Sequence, residues 1–333
     1  MIRNQWYAVL ESNEVKPRRV IGTTRMGEKL VFWRDASGQV ACMRDLCPHR
    51  GVALSTGKLI HDHIQCPFHG FEFDTSGACV LVPANGAAAV PPKALQVDGY
   101  PVRDVHGYIW IWWGEPRSEY PSIRYFESID ASFSYATVHD HWAAHYSRAI
   151  ENQLDAVHLP FIHANTIGRG QRTIVDGPIT AWEHGTDESY RLEFWVSNRE
   201  EDGIPARSSR DLPKPAGRPQ IQFQFPNVWH NWISDDVRVA AAFAPIDDEN
   251  TMMYFRMYQR VALLPVLRQV FNLIGRWSNF YIERQDKRVV ETQQPKRSGL
   301  KIGEHLIPGD RPIIEYRRRR EALIQKSLEQ PPD

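Results

Sequence analysis

Over the first third of the chain, apolar and polar residues alternate in runs too short for helices. Val15–Thr24, Lys29–Arg34, Val40–Arg44 and Gly107–Trp113 read as β-strands. The pairs Ser37-Gly38, Ser76-Gly77 and Asp98-Gly99 punctuate them as turns. Residues 5–113 are therefore expected to form a small all-β unit. The polar, proline-bearing segment Glu115–Pro121 follows, and the expected division is 1–115 and 116–333. Beyond it the period changes. Trp142, His145, Ala149, Asn152 and Ala156 recur at three-to-four spacing and predict a helix from Asp140 to about Leu159. Residues 173–260 alternate again. Tyr190–Val196 and Ile221–Ile233 read as antiparallel strands with one wet face, and Asp202–Pro219 as a loop. A long helix is predicted over Pro265–Gln293. The second unit is thus α+β, an antiparallel sheet with a few long helices packed on it.

Composition narrows the function classes. Lys plus Arg equals Asp plus Glu at 40 each, so nothing draws the chain generally to nucleic acid or an anionic membrane. The longest apolar stretch, near Val261–Ile274, is interrupted by Pro265 and Arg268 and falls short of the ~20 residues of a membrane span. The N-terminus has no apolar signal core. A cytoplasmic protein with no membrane partner is expected. Arg317-Arg318-Arg319-Arg320 is read as a solvated helix face. Four cysteines, Cys42, Cys47, Cys66 and Cys79, are too few for a disulfide framework in a chain this long, and metal binding suits their spacing better.

Two boxes carry that chemistry. Cys47-Pro48-His49-Arg50-Gly51 is followed by Cys66-Pro67-Phe68-His69-Gly70, with sixteen residues between His49 and Cys66. Two Cys and two His can hold tetrahedral zinc, but zinc pairs usually have two or more residues between ligands, and the first pair here has one. A single spacer puts both side chains on one face of an extended loop. Two such loops suit a Rieske centre, with two thiolates on one iron and two imidazoles on the other. Pro48 and Pro67 stiffen the loops, and Gly51 and Gly70 permit tight turns. Cys42 and Cys79 lie outside the boxes and read as packing residues.

The chain resembles the Rieske non-haem iron oxygenase family. The resemblance runs through Asn4-Gln5-Trp6-Tyr7, Arg44–Gly51, Cys66–Phe71 and the closing strand Gly107–Trp112. It implies a [2Fe–2S] cluster on Cys47, His49, Cys66 and His69. Rieske electron carriers of quinol–cytochrome complexes usually have an extra cysteine after each pair; Val52 and Gly70-Phe71 stand in those places.

The second candidate site lies in Glu151–His163. Non-haem Fe(II) oxygenation needs two histidines and one carboxylate on one face of the metal. His158 and His163 are five apart, and Pro160 is expected to break the helix between them. By themselves they read as two satisfied buried histidines; beside the Cys/His boxes the metal reading is favoured. The segment resembles the family's iron-binding motif. By that resemblance His158 and His163 bind Fe(II), Asp155 bridges to a cluster histidine of a neighbouring subunit, and Asn152 stands close to the iron. The resemblance assigns the third ligand to Asp286, with Gln285 where an acid is common. Glu283 and Glu291 compete with it, and spacing cannot separate Glu283 from Asp286, which share a helix face. His139–His145 also looks like a metal box, because His141 and His145 would share a face if helical; His145 is read as a pocket or core residue.

The resemblance further implies a terminal oxygenase. It would take electrons from a separate NAD(P)H-dependent reductase or ferredoxin, have a helix-grip catalytic domain, and form a head-to-tail homotrimer. It would hydroxylate or demethylate a medium-sized, ring-containing organic molecule. Phe223, Phe225, Trp229 and Trp232 supply candidate wall material, and Asn227, His230 and Asn231 candidate polar contacts. The alternative is a Rieske electron carrier or redox sensor that has lost oxygen chemistry.

Overall fold

A computed structural model describes residues 1–168, 173–184, 190–213, 215–262 and 264–329. The N-terminal unit contains β1 (Gln5–Glu11), β2 (Ile21–Arg25), β3 (Glu28–Arg34), β4 (Val40–Arg44), β5 (Lys58–Ile60), β6 (His63–Gln65), β7 (Glu72–Phe73), β8 (Cys79–Leu81), β9 (Val102–Val105) and β10 (Tyr108–Trp113). They form three small antiparallel sheets, β1-β10-β9, β2-β3-β4 and β5-β6-β7-β8. The expected strand from Val15 begins only at Ile21; Pro17, which has no N–H to give a ladder, stands in the residues before it.

The larger unit opens with β11 (Ser134–Trp142), α1 (Tyr146–Leu154) and the one-turn α2 (Leu159–Ile162). Then come β12 (Thr173–His184), β13 (Tyr190–Glu200), β14 (Ile221–Gln224), β15 (Val228–Trp232), β16 (Val237–Pro245), β17 (Thr251–Gln259), α3 (Pro265–Val290) and α4 (Arg311–Glu329). One antiparallel sheet of seven strands, in the order β11-β17-β16-β15-β14-β13-β12, carries the helices. The α+β expectation is met. α3 rests on β11 and β17, and Gly275 permits the approach, because a Cβ there would sit 2.5 Å from Met257 Sδ.

Several local expectations fail for tertiary reasons. The helix predicted from Asp140 starts at Tyr146; Asp140–Trp142 is the end of β11, paired with Thr251–Met253. Ile221–Ile233 is a hairpin rather than one strand. Its corner is Asn227, whose amide accepts from Ala8 N (3.1 Å) and donates to Ala8 O (2.8 Å) and Phe243 O (3.1 Å). Asn227 is thus a clamp on β1. Phe223 and Phe225 pack against Tyr316 of α4 inside the core, and neither lines the cavity that holds His158 and His163. His230 is buried and stacked on Phe126.

The basic run in α4 is a solvated face only in part, with Arg318 exposed. Arg317 and Arg320 are buried. Arg317 donates to both Glu151 oxygens (2.7 and 2.8 Å) and pairs with Glu304; Arg320 donates to the Tyr146 hydroxyl and the Ser298 carbonyl. A second buried charge pair ties the units together. Arg256 on β17 donates to Glu11 Oε1 and Oε2 (2.8 and 2.9 Å) and to the carbonyls of His106 and Gly107 (both 2.7 Å). Every one of these acceptors lies in the β1/β9–β10 sheet or its turn, so the guanidinium fastens one unit to the other.

Candidate metal centres

The two Cys/His loops have the same backbone construction. In the first, Cys47 N donates to Val52 O (2.8 Å) and Gly51 N to Cys47 O (2.9 Å). In the second, Cys66 N donates to Phe71 O (2.8 Å) and Gly70 N to Cys66 O (3.0 Å). Gly51 and Gly70 both have φ of +73°, a left-handed conformation that closes each loop and favours glycine. The result is a two-sided cradle. Cys47 and Cys66 are each 2% exposed, whereas His49 and His69 stand at the surface with ring centroids 4.7 Å apart. His49 stacks on Phe71 (4.8 Å, 13°), and Arg50 lies over Phe68. Burial pushes the Cys47 thiol up to about 11, against the backbone N–H groups of His49 and Arg50 that favour its thiolate. A thiol so buried gains its charge only by binding metal, and those N–H groups then stabilise the sulfur. Paired buried sulfurs and paired surface imidazoles are the donor set a [2Fe–2S] cluster of Rieske type needs. Cys42 is buried in a neighbouring core, and the Cys79 thiol donates to Leu81 O, so neither joins the cradle.

The second site is built by an early helix end. α1 stops at Leu154, because Asp155 takes an extended conformation (φ −87°, ψ 120°). Asp155 Oδ1 accepts from the N–H groups of Val157 (2.6 Å) and His158 (3.2 Å), and α2 then begins. The break therefore falls at Asp155 rather than at Pro160. Pro160 sits in the first turn of α2, where a missing N–H costs nothing. His158 and His163 flank this one-turn helix at its two ends.

α3 supplies Asp286 from across the site. Its Oδ1 lies 3.0 Å from His163 Nε2 and 3.5 Å from His158 Nε2. The three donor atoms lie within 4.8 Å of one another, and among the described residues this is the one trio so placed. His163 Nδ1 is 2.7 Å from Gln285 Oε1, which fixes the Nδ1–H tautomer and leaves Nε2 for a metal. Burial lowers the basicity of His163, but the Asp286 carboxylate more than offsets this and raises it above the ordinary value. Asn152 Nδ2 donates to Asp286 Oδ1 (3.3 Å). Asp155 Oδ2 stands 3.8 Å from His158 Nδ1. Burial opposes ionisation of Asp155, but His158 and the two N–H groups hold its carboxyl below its ordinary value. Two imidazoles and one carboxylate converging from one side suit a mononuclear iron with open positions.

The competing candidates are committed elsewhere. Glu283 Oε1 accepts from Trp142 Nε1 (3.1 Å), and Glu291 accepts from Ala143 N. His141 lies on a strand beside Asn250, and His145, fully buried, accepts from Ser147 N as the cap of α1. Over the trio lies a cavity of about 470 Å³, within the range of small-molecule pockets. Trp229, Asn231 and Trp232 line it, joined by Asn198, Gln220, Asn279 and Glu283. The last four were not singled out as pocket residues from sequence. Asn279, Glu283 and Asp286 follow at four and three residues along α3, a spacing that puts all three on one face.

The domain pair fixes the class of protein. Residues 5–101 match the Rieske [2Fe–2S] domain family, so the chain is a Rieske protein with a second domain appended. Residues 142–326, more than half of the chain, match the vanillate O-demethylase oxygenase C-terminal domain family, and the chain belongs to that family of Rieske oxygenases. The cofactors that accompany these domains are a [2Fe–2S] cluster and Fe(II). Among curated relatives, the chain is 34% identical over 190 residues to the oxygenase component of dicamba O-demethylase from Stenotrophomonas maltophilia, covering 54% of this chain and 55% of that protein. It is 32% identical over 169 residues to the iron–sulfur subunit TsaM1 of the toluene-4-sulfonate monooxygenase system of Comamonas testosteroni, covering 50% and 48%. The chain spans about half the length of the curated relatives it matches. Its fold is that of dicamba monooxygenase bound to dicamba (TM-score 0.75, 22% identity, 99% of each chain). It is also that of Pseudomonas putida CBB5 NdmA (TM-score 0.73, 21% identity, 98% of this chain and 94% of that one).

Proposed function

We propose that this protein is the terminal oxygenase component of a Rieske non-haem iron system. In this reading Cys47, His49, Cys66 and His69 hold the cluster in a domain of residues 1–115. His158, His163 and Asp286 hold Fe(II) in a catalytic domain of residues 116–333. The observation that carries it is the convergence of those three donor atoms on the floor of a cavity large enough for an organic substrate. When bound, the iron with dioxygen supplies the oxidising power, and the cluster supplies single electrons received from an NAD(P)H-dependent reductase or ferredoxin.

The chain's own residues set the conditions. Gln285 orients His163, Asn152 holds Asp286 Oδ1, and Asp155 holds the loop that presents His158. Trp229, Phe255 and Ile282 exclude water above the metal ligands. The surface position of His49 and His69 suits electron delivery to a neighbouring copy, with Asp155 as the receiving contact in a head-to-tail homotrimer. Among the described residues no helix is long and apolar enough to cross a membrane, and the reading includes a cytoplasmic location. The substrate is a ring-containing organic molecule, hydroxylated or demethylated at one carbon, as the names of the dicamba O-demethylase and toluene-4-sulfonate monooxygenase relatives suggest.

The test is metal analysis of His158→Ala and Asp286→Ala beside the intact protein. The expected result is loss of about one iron per chain, with the visible and EPR spectra of the cluster unchanged and reductant-driven oxygen uptake abolished. Unchanged iron content and undiminished electron transfer would favour an electron carrier instead.

A further inference from the structure

The N-terminal part of α3 shows the solvent an apolar face. Asn272 accepts from Gln259 (3.2 Å), and Gly275 lies against Met257, so one stripe of the helix meets the sheet. Val266, Val270, Leu273, Ile274, Trp277 and Tyr281 fall on the opposite side, within an arc of about 100° at 3.6 residues per turn. Their exposures run from 47% to 73%. At 1.5 Å rise per residue the strip is about 22 Å long. Exposed apolar residues scattered singly are ordinary; a contiguous strip of this length marks contact with a protein or a lipid surface.

Charge and ring chemistry choose between the two. Residues 261–282 contain Arg268 and Arg276, both exposed, and no Asp or Glu. Arg284 and Arg288, also exposed, continue the strip on the same side of the helix, whereas Glu283 and Asp286 are buried. The carboxylate nearest Arg284 is Asp140 at 3.9 Å, which Lys287 holds at 3.1 Å. The equal totals of acid and base over the whole chain conceal this local excess. A second copy laid strip to strip would bring arginine to arginine with no exposed acid on the face to answer it, and like charges so placed repel. An anionic bilayer offers acyl chains to the apolar side chains and phosphates to the guanidiniums. Trp277 and Tyr281 stack (6.3 Å, 12°), and Arg284 lies over Phe280, an aromatic and basic grouping suited to headgroup depth.

We infer that the outer face of α3 docks the protein peripherally on an anionic lipid bilayer, with the six apolar side chains at the acyl boundary and Arg284 and Arg288 at the phosphates. The contact lies on the surface of the bilayer, since no described helix is long and apolar enough to cross it. It goes against the expectation of no membrane partner, which whole-chain charge had suggested. It also falls near the cavity mouth: Ile233, exposed and lining the cavity, stands in the turn whose Asp236 binds Arg260 (2.9 Å), five residues before α3 begins.

Co-sedimentation of the full-length protein, loaded with both cofactors, with extruded vesicles tests it. The probes are phosphatidylcholine alone and an equal mixture of phosphatidylcholine and phosphatidylglycerol. The parent is expected to bind the mixed vesicles about tenfold or more tightly than the neutral ones at low salt, and to lose that preference at high salt. Replacing Arg284→Gln and Arg288→Gln should weaken binding to mixed vesicles about fivefold for each arginine. Leu273→Glu with Trp277→Glu should weaken it about a hundredfold, with an unchanged visible spectrum of the cluster as the sign of an intact fold. A parent that binds neither vesicle, or binding that ignores Leu273→Glu with Trp277→Glu, overturns the inference. Sedimentation velocity without lipid reads the other occupant. If the same two substitutions lower the mass of the assembly, a second copy covers the strip and the bilayer assignment is wrong.

Discussion

Glu283 should make the metal-free protein less stable as pH rises through neutrality, and Glu283→Gln should remove that dependence. The carboxyl ionises near 4.5 when exposed and at about 9 in the folded chain. Its folded value is raised, so its contribution is fully present below about pH 4.5 and is lost progressively as pH climbs toward 9. Inside that window the unfolded chain has released the proton and the folded chain has kept it. Each pH unit then removes about 1.4 kcal/mol of stability. Between pH 6 and pH 8 the loss is about 3 kcal/mol, a large part of a typical folding free energy. The amide of the Glu283→Gln variant cannot ionise, so the variant should gain on the parent by that amount over the same interval. Urea titrations of both proteins at pH 6, 7 and 8, followed by tryptophan fluorescence, measure the difference. Parallel profiles, within about 0.5 kcal/mol across the range, would refute the claim that Glu283 is neutral in the fold. Added Fe(II) should shrink the effect, since a cation beside Asp286 favours the ionised form.

Three further outcomes follow from the same geometry. Glu11→Gln leaves Arg256 buried without its counter-ion and should cost about 3–5 kcal/mol in urea titrations; a loss below about 1 kcal/mol would show that the guanidinium does not fasten the two units. Gln285→Leu removes the partner of His163 Nδ1 and should weaken iron binding roughly 10–100-fold while the visible spectrum of the cluster stays unchanged, with iron titration as the measurement. His145 is held neutral, chiefly by burial, down to about 3, against 6.5 in the open chain. Stability is therefore lost as pH falls from 6.5 toward 3, and His145→Asn, which keeps the cap on Ser147 N, should flatten that acid limb in thermal melts.

The cluster loops were legible in the sequence because their construction is local. A spacer of one residue in the first loop and two in the second, with one proline and one closing glycine in each, determines where Cys47, His49, Cys66 and His69 point, and the structure repeats a single hydrogen-bonding scheme in both. The pair His158 and His163 was legible for the same reason, although the helix break falls at Asp155, whose side chain had to be seen capping the next turn. Spacing could not choose among Glu283, Asp286 and Glu291. All three lie on α3 or at its end, and only packing against β11 and α1 turns Glu283 to Trp142, Glu291 to Ala143 and Asp286 to the histidines. The buried Arg317 and Arg320 were hidden because their partners, Glu151 and Tyr146, lie 166 and 174 residues away. The corner at Asn227 was hidden because its partner is the backbone of Ala8 in the other unit. Sequence spacing determines chemistry that one loop or one turn of helix can assemble. The fold decides which charged side chains lose their water, because desolvation depends on neighbours brought from far along the chain.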